Sequence, residues 1–384
     1  MKNKRITYFL IFMFSVILIP ACIDEYTPNV EDELSDLLVV EGTISDYDNT
    51  IIKLSRSVKL SDTETFNPVQ HAKVYVERSD GWESEFGVEV KSGEYHLNVG
   101  ALDTSFSYSL VISLDGVIYR SIPDKPLITP EIDSVSWKQK GEGQPVSIYV
   151  TTHNNEENVG YYRWSYKEDW EIKANLFANA SYDVSKDIYT PYSLKGLNTY
   201  YCWNKDSSRV LILGDTEKLS GNLIYEKELT TIEASHDKLS YLYSIFVKQW
   251  SVSKSAYNYF WNVQNNIDET GSIFAPQPAE LKGNIECVTH PEEHVIGYVD
   301  VATITTKRIY ISRDEIDYWD LNPICKILEA KGKAAAIDTI KKYGYVLLSG
   351  DEAFNNVQLT SRSCVDCRIK GSKTRPDFWP NDHQ

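Results

Sequence analysis

From Leu37 onward the chain alternates apolar and polar residues in short runs that are cut by turn residues. The runs Leu37–Thr43, Thr50–Ser55, Ala72–Arg78, Glu83–Val90, Tyr95–Val99, Tyr108–Ser113 and Val117–Ser121 predict strands, with Asp80-Gly81, Ser92-Gly93 and Asp115-Gly116 as tight turns between them. Strands at this spacing argue for a β-sandwich over residues 37–126. Pro123, Pro126 and Pro130 then mark a boundary, because proline fixes φ and cannot donate to a ladder. Beyond it, in 127–384, further strands are predicted at Ile132–Lys138, Val146–Thr152, Tyr161–Ile172, Tyr200–Trp203, Arg209–Leu213, Leu239–Ser251, Gly283–Val288, Val295–Ile304 and Lys307–Ser312. The period changes to that of a helix only after Ser253. This residue suits an N-cap, and Ala256, Tyr259, Phe260, Val263 and Ile267 share one face up to a stop at Gly271. A second helix is predicted near Lys333–Tyr343. The fold class is therefore mainly β: a sandwich followed by a larger β-rich domain with one or two inserted helices.

The segment before Leu37 reads differently. Lys2, Lys4 and Arg5 precede an apolar run from Ile6 to Ile19, too short for a comfortable membrane span, and Pro20-Ala21-Cys22 follows. Residues 1–21 are thus expected to be a secretory signal, and Ile19-Pro20-Ala21-Cys22 resembles a bacterial lipobox. That resemblance implies that Cys22 is acylated, becomes the first mature residue and anchors the protein to a membrane through several acyl chains. Residues 22–36 are polar and acidic with no periodic apolar face, as expected of a tether. Within it, Asp24 and Glu25 resemble the acidic export signal of surface-exposed lipoproteins in Bacteroidota, which implies an outward-facing location on the outer membrane.

The formal charge is −16, and removal of the first 21 residues takes three basic and no acidic residues, leaving 36 basic against 55 acidic and a net −19. Such a balance argues against nucleic-acid partners and against adsorption on anionic headgroups. The chain carries 26 tyrosines and 9 tryptophans, as suits sheet cores or exposed recognition surfaces. Trp164, Trp170 and Trp203, with the loop 271–286, are the candidates for a binding surface. In an oxidising compartment Cys202, Cys287, Cys325, Cys364 and Cys367 should give two disulfides and one leftover thiol, with the pairing open. A zinc site built on Cys364-Val-Asp-Cys367 would need a second close pair, which the sequence lacks.

The sharpest catalytic lookalike is His290-Pro-Glu-Glu-His294, which matches the H-x-x-E-H zinc pattern. That chemistry needs both imidazoles on one face of a helix. Pro291 and the flanking strand patterns instead predict a hairpin turn, so metal hydrolysis at His290, Glu293 and His294 stands only as an alternative. The acid pairs Asp46/Asp48 and Glu156/Glu157 sit in predicted loops without EF-hand spacing. The sequence has no G-x-S-x-G elbow and no glycine-rich phosphate loop, and it implies no cofactor.

Two resemblances extend the picture. Pro68-Val-Gln-His-Ala-Lys-Val-Tyr-Val76, Gly93-Glu-Tyr95 and Tyr108-Ser-Leu110 resemble an Ig-like module of the transthyretin or carboxypeptidase-regulatory type, which implies a spacer or docking unit. A wider set resembles the Bacteroidota lipoprotein family known as domain of unknown function 4249. It comprises Leu38-Val-Val-Glu-Gly42, Tyr161-Tyr-Arg-Trp-Ser-Tyr166, Val247-Lys-Gln249, Gly271-Ser-Ile-Phe-Ala-Pro-Gln-Pro278, Leu281-Lys-Gly-Asn-Ile-Glu-Cys287, Val295-Ile-Gly-Tyr298, Cys364-Val-Asp-Cys-Arg368 and Pro376-Asp-Phe-Trp-Pro380. The likeness implies a neighbouring TonB-dependent outer-membrane β-barrel receptor as partner. The expectation is a surface-exposed lipoprotein acting as a binding or accessory subunit of that receptor or of a larger envelope complex. The alternatives are a stand-alone adhesin or glycan-binding lipoprotein and a hydrolase with a non-standard site.

Overall fold

The computed structural model describes residues 36–58, 66–155, 159–192, 199–219, 221–268, 282–317 and 324–380. The first unit is a pair of facing sheets. One runs β19 (Val295–Val301), β1 (Leu38–Ile44), β2 (Thr50–Arg56), β6 (Glu94–Leu97), β5 (Val88–Lys91), with β3 (Asn67–Pro68) also on β2. The other runs β18 (Ile285–Cys287), β8 (Val117–Ser121), β7 (Tyr108–Leu114), β4 (Lys73–Arg78). Alternation explains the core between them. Leu38, Val40, Ile52 and Leu54 from one sheet and Val74, Val76, Leu110 and Ile112 from the other point inward and are fully buried. At the β7–β8 hairpin Asp115 and Gly116 both have positive φ, as a primed two-residue turn requires.

The sandwich predicted from residues 37–126 takes in two strands from far downstream. β19 lies parallel to β1, pairing Leu38 with Val295 through Ile44 with Val301, and β18 joins the other sheet beside β8. Asn284 ties the two together, its side chain donating to the Val299 carbonyl and accepting from the Val299 N–H, each at 2.9 Å. The backbones approach closely here. A Cβ on Gly297, at φ +141°, would sit 2.1 Å from the Val40 carbonyl oxygen, so only glycine fits. The expected strand Glu83–Val90 is shorter than predicted, because Ser84 and Gly87 hydrogen-bond along the outer edge of β4 before β5 begins.

The second unit is another sandwich. One sheet is β16 (Leu223–Ile232), β10 (Val146–His153), β9 (Ile132–Gln139). The other is β14 (Tyr201–Ser207), β11 (Tyr161–Lys173), β17 (Leu242–Ser251), β20 (Ile304–Ser312), with β15 (Ile212–Asp215) on the leading half of β11. β11 organises this unit, since β17 runs along its length on one side while β15 and β14 share the other. Its alternate residues Tyr162, Trp164, Tyr166, Trp170 and Ile172 face Val146, Ile148 and Val150 across the core. Two of the polar groups in that core are matched there: Trp164 Nε1 donates to Gln249 Oε1 at 2.8 Å, and Glu168 accepts from Tyr243 and Lys238 at 2.6 Å each.

α1 (Lys254–Asp268) is capped by Ser253 Oγ, which accepts from the Ala256 N–H at 3.1 Å. Ala256, Tyr259 and Phe260 pack with Trp250 of β17 and Tyr298 of β19, so this helix joins the two sandwiches. A third, smaller unit holds β12 (Ala180–Asp183) with β13 (Ile188–Pro191) and the sheet β21 (Leu328–Ala330), β23 (Val357–Ser361), β22 (Tyr345–Ser349). With them go α2 (Lys333–Tyr343) and α3 (Arg362–Val365). Phe354 and Leu359 fill its core. Among the described residues no helix is long and apolar enough to cross a membrane.

Candidate functional site

A polar cavity of about 570 Å³ opens at one end of the second sandwich. Its walls are strand ends. β11 runs out through Lys173 into Ala174 and Asn175, β17 enters through Ser240 and Tyr241, and β20 leaves through Ser312 into a short 3-10 turn at Arg313–Glu315. A capping box fixes that turn: the Ser312 N–H donates to Glu315 Oε2 at 2.7 Å, and the Ser312 hydroxyl accepts from the Asp314 N–H. The Arg313 N–H donates to the Tyr241 carbonyl at 2.9 Å, holding this rim against β17.

The remaining wall comes from the far end of the chain. Cys202 on β14 is bonded to Cys367, a closure over a sequence separation of 165. Around it the Trp203 and Ser372 backbones exchange bonds of 2.8 and 2.7 Å, Asn204 donates to the Lys370 carbonyl, and Lys373 donates to the Tyr201 carbonyl. These contacts bring Lys370 to the cavity, where its ammonium lies 2.9 Å from Asp237. Tyr200, Tyr201 and Tyr241 cluster beside it, the first two edge to face at 4.8 Å. The Lys173 ammonium sits over the Tyr241 ring, 3.2 Å from its centroid and 5.5 Å from that of Tyr201. Burial lowers the pKa of Lys173, and the Arg313 cation adds to the effect against Tyr200 and Glu171. Burial also raises the Tyr241 hydroxyl, helped by Glu171 and Asp314. The site can therefore offer cations, carboxylates, hydroxyls and aromatic faces to one ligand.

The expected binding-surface tryptophans lie elsewhere. Trp164, Trp170 and Trp203 are only 1%, 6% and 6% exposed, so they are core residues and form no recognition surface. Trp164 and Trp170 share the inward parity of β11, and Trp203 is covered by the tail around Ser372. Of the loop 271–286, residues 271–281 lie outside the described residues, as do Cys22, Asp24 and Glu25. Among the described residues the cysteines form two disulfides, Cys202–Cys367 and Cys325–Cys364, and Cys287 is free and buried. Cys364 and Cys367 thus belong to different bridges and cannot serve one zinc ion.

His290-Pro-Glu-Glu-His294 is a turn, but not a hairpin, since β18 and β19 on either side belong to opposite sheets. Glu293 points inward, accepting from Tyr119 at 2.7 Å and lying 3.7 Å from the Cys287 thiol, while His290 and His294 are exposed. The three do not converge. Among the described residues no group of three or more His, Cys, Asp or Glu is placed to hold a metal ion. The cavity residues Lys173, Tyr241, Arg313 and Lys370 were invisible to motif reading, because each sits at the end of a different element with no fixed spacing to the others.

The family profile described as Domain of unknown function (DUF4249) matches residues 23–308, well over half of the chain, so the protein belongs to that family. The match takes in the first sandwich and the second as far as the middle of β20, and ends before Arg313 and Lys370. No curated protein matches the chain.

Proposed function

We propose that this member of the family is a lipid-anchored protein on the outer surface of the outer membrane, where it serves as a binding or accessory subunit of a TonB-dependent receptor or a larger envelope complex. The observation that carries this reading is the position of Cys22, directly behind the signal-like segment and shortly ahead of β1. The 15 residues between Cys22 and Leu38 can span at most about 55 Å when fully extended. A body held that close to the bilayer meets membrane partners at a raised local concentration, so a modest contact suffices to keep a complex together. Asp24 and Glu25 support the outward face.

Affinity purification from native membranes in mild detergent tests the reading. A β-barrel receptor should co-purify with the wild type and be lost with Cys22→Ala, and its absence from the wild-type eluate would refute the accessory role. Protease added to intact cells should remove the protein, whereas survival until lysis would place it in the periplasm. The polar, tyrosine-lined cavity favours a second reading, a stand-alone glycan-binding lipoprotein, which would retain its ligand with no receptor present.

A further inference from the structure

We infer that an aromatic row of Tyr161, Tyr257 and Trp261, at the opposite end of β11 from the cavity, binds a neutral oligosaccharide by stacking. The ligand class is that of the glycan-binding reading, but the surface is a different one and the receptor plays no part in it. β11 carries Tyr161 at its first residue and Lys173 at its last, so about 40 Å of strand separates the two places. The row is built on two elements: Tyr161 lies on β11, and Tyr257 and Trp261 stand one turn apart on α1. Their ring centroids follow one another at 5.2 and 6.3 Å, and the last two rings are within 13° of parallel. Trp261 is 48% exposed. A single exposed tryptophan needs no explanation, whereas a line of three rings with one end open to water does.

The rings are held in place. The Tyr161 hydroxyl donates to Glu217 Oε1 at 2.6 Å and the Tyr257 hydroxyl to Asp215 Oδ2 at 2.8 Å, with both acids at or just beyond the end of β15. Rings fixed in this way lose little freedom when a ligand stacks on them. Lys254 pairs with Glu217 and lies over the Tyr161 ring. Two polar groups here have no hydrogen-bond partner among the described residues: Glu217 Oε2, since Tyr161 and Lys254 both use Oε1, and the Trp261 indole N–H. A pyranose complements both features, with C–H faces for the rings and hydroxyls that donate to the carboxylate and accept from the indole. An apolar chain would leave those polar groups unmet. An anion finds no surplus cation, because Asp215 and Glu217 stand against Lys254 and Lys218 in a chain whose net charge is −16.

The test is isothermal titration calorimetry on the full-length protein in a detergent without a sugar headgroup. Cellohexaose, mannohexaose and maltohexaose are the neutral probes, glucose is the single unit and oligogalacturonate the charged control. At least one hexasaccharide should bind, more tightly than glucose and oligogalacturonate, with an affinity that does not change with salt. Trp261→Ala should lower that affinity by about tenfold or more at an unchanged melting temperature, Trp261→Phe by less, and Lys173→Gln in the cavity not at all. The inference is overturned if no hexasaccharide binds at millimolar concentration, if oligogalacturonate binds best, or if Trp261→Ala binds as the wild type does. A hexasaccharide lost with Lys173→Gln and kept with Trp261→Ala would also overturn it, placing the sugar in the cavity and leaving the glycan-binding reading intact. Loss of receptor co-purification in Trp261→Ala, with no sugar bound, would overturn it in favour of a protein contact.

Discussion

Asp300 provides a direct test of how the first sandwich is held. It stands on β19 opposite Thr43 of β1, is 2% exposed, and its Oδ2 has no hydrogen-bond partner. Burial raises its pKa from the ordinary 3.8 to about 7; Arg163, held between the Trp250 and Phe260 rings at 4.3 and 4.5 Å, opposes the rise, and Asp124 adds to it. The sign follows from proton binding. Below pH 3.8 the folded and unfolded chains both hold the proton and the group is neutral in its effect. Between 3.8 and about 7 only the folded chain holds it, so stability falls as pH rises, by about 1.4 kcal/mol per unit, and levels off above 7. The whole interval amounts to about 4 kcal/mol. Asp300→Asn keeps the shape and removes the titration. Urea unfolding of both proteins at pH 4, 5, 6, 7 and 8, followed by tryptophan fluorescence, isolates this group, because every other titration cancels in the difference. The variant should gain steadily on the wild type from pH 4 to 7. A difference that stays flat over that range would refute the argument.

Three further outcomes follow from the packing. Removing Cys202–Cys367, which closes a separation of 165, should cost on the order of 4–5 kcal/mol, and removing Cys325–Cys364, which closes one of 39, somewhat less; denaturant midpoints of the paired alanine variants in the reverse order would contradict the loop-entropy account. Lys238→Met strips the cation from Glu168, which is 2% exposed, and should cost about 3–5 kcal/mol in a urea titration, since it leaves a buried carboxylate with only the Tyr243 hydroxyl. Cys287 is buried and its thiol pKa is raised by burial, so a maleimide reagent should label it only at the rate of unfolding, and rapid labelling of the native protein would show that β18 opens.

What the sequence disclosed was decided by distance along the chain. The alternation in Tyr161–Lys173 is local, so that long strand was legible, as were α1 from Ser253 and the Asp115-Gly116 turn. The same alternation argues against the surface reading of Trp164 and Trp170, because Tyr162, Tyr166 and Ile172 share their parity and a strand cannot bury one without the others. Glu168 shares it too, and only the partners Lys238 and Tyr243, some 70 residues on, make a carboxylate tolerable there. The parallel β1–β19 pairing leaves no local trace. Val295–Val301 reads as one more apolar run, and nothing in it says that its partner lies 257 positions earlier. β16 went unread for a related reason: its ten residues carry three internal charges and follow two register shifts of β10, which break the simple alternation.

The cavity shows the same limit at its strongest. Strand ends are where side chains leave the pleat and where the two-residue period stops constraining them, so no pattern marks Lys173 or Tyr241 as different from a solvated rim. Lys370 reaches the site only because the Cys202–Cys367 bridge folds the tail back onto β14. A disulfide that the sequence could count but not pair therefore fixes one wall of the pocket. It follows that loss of this bridge should weaken ligand binding as well as stability, whereas loss of Cys325–Cys364, which packs with Ala178, Leu348 and Val365 and contributes no residue to the cavity lining, should weaken binding less.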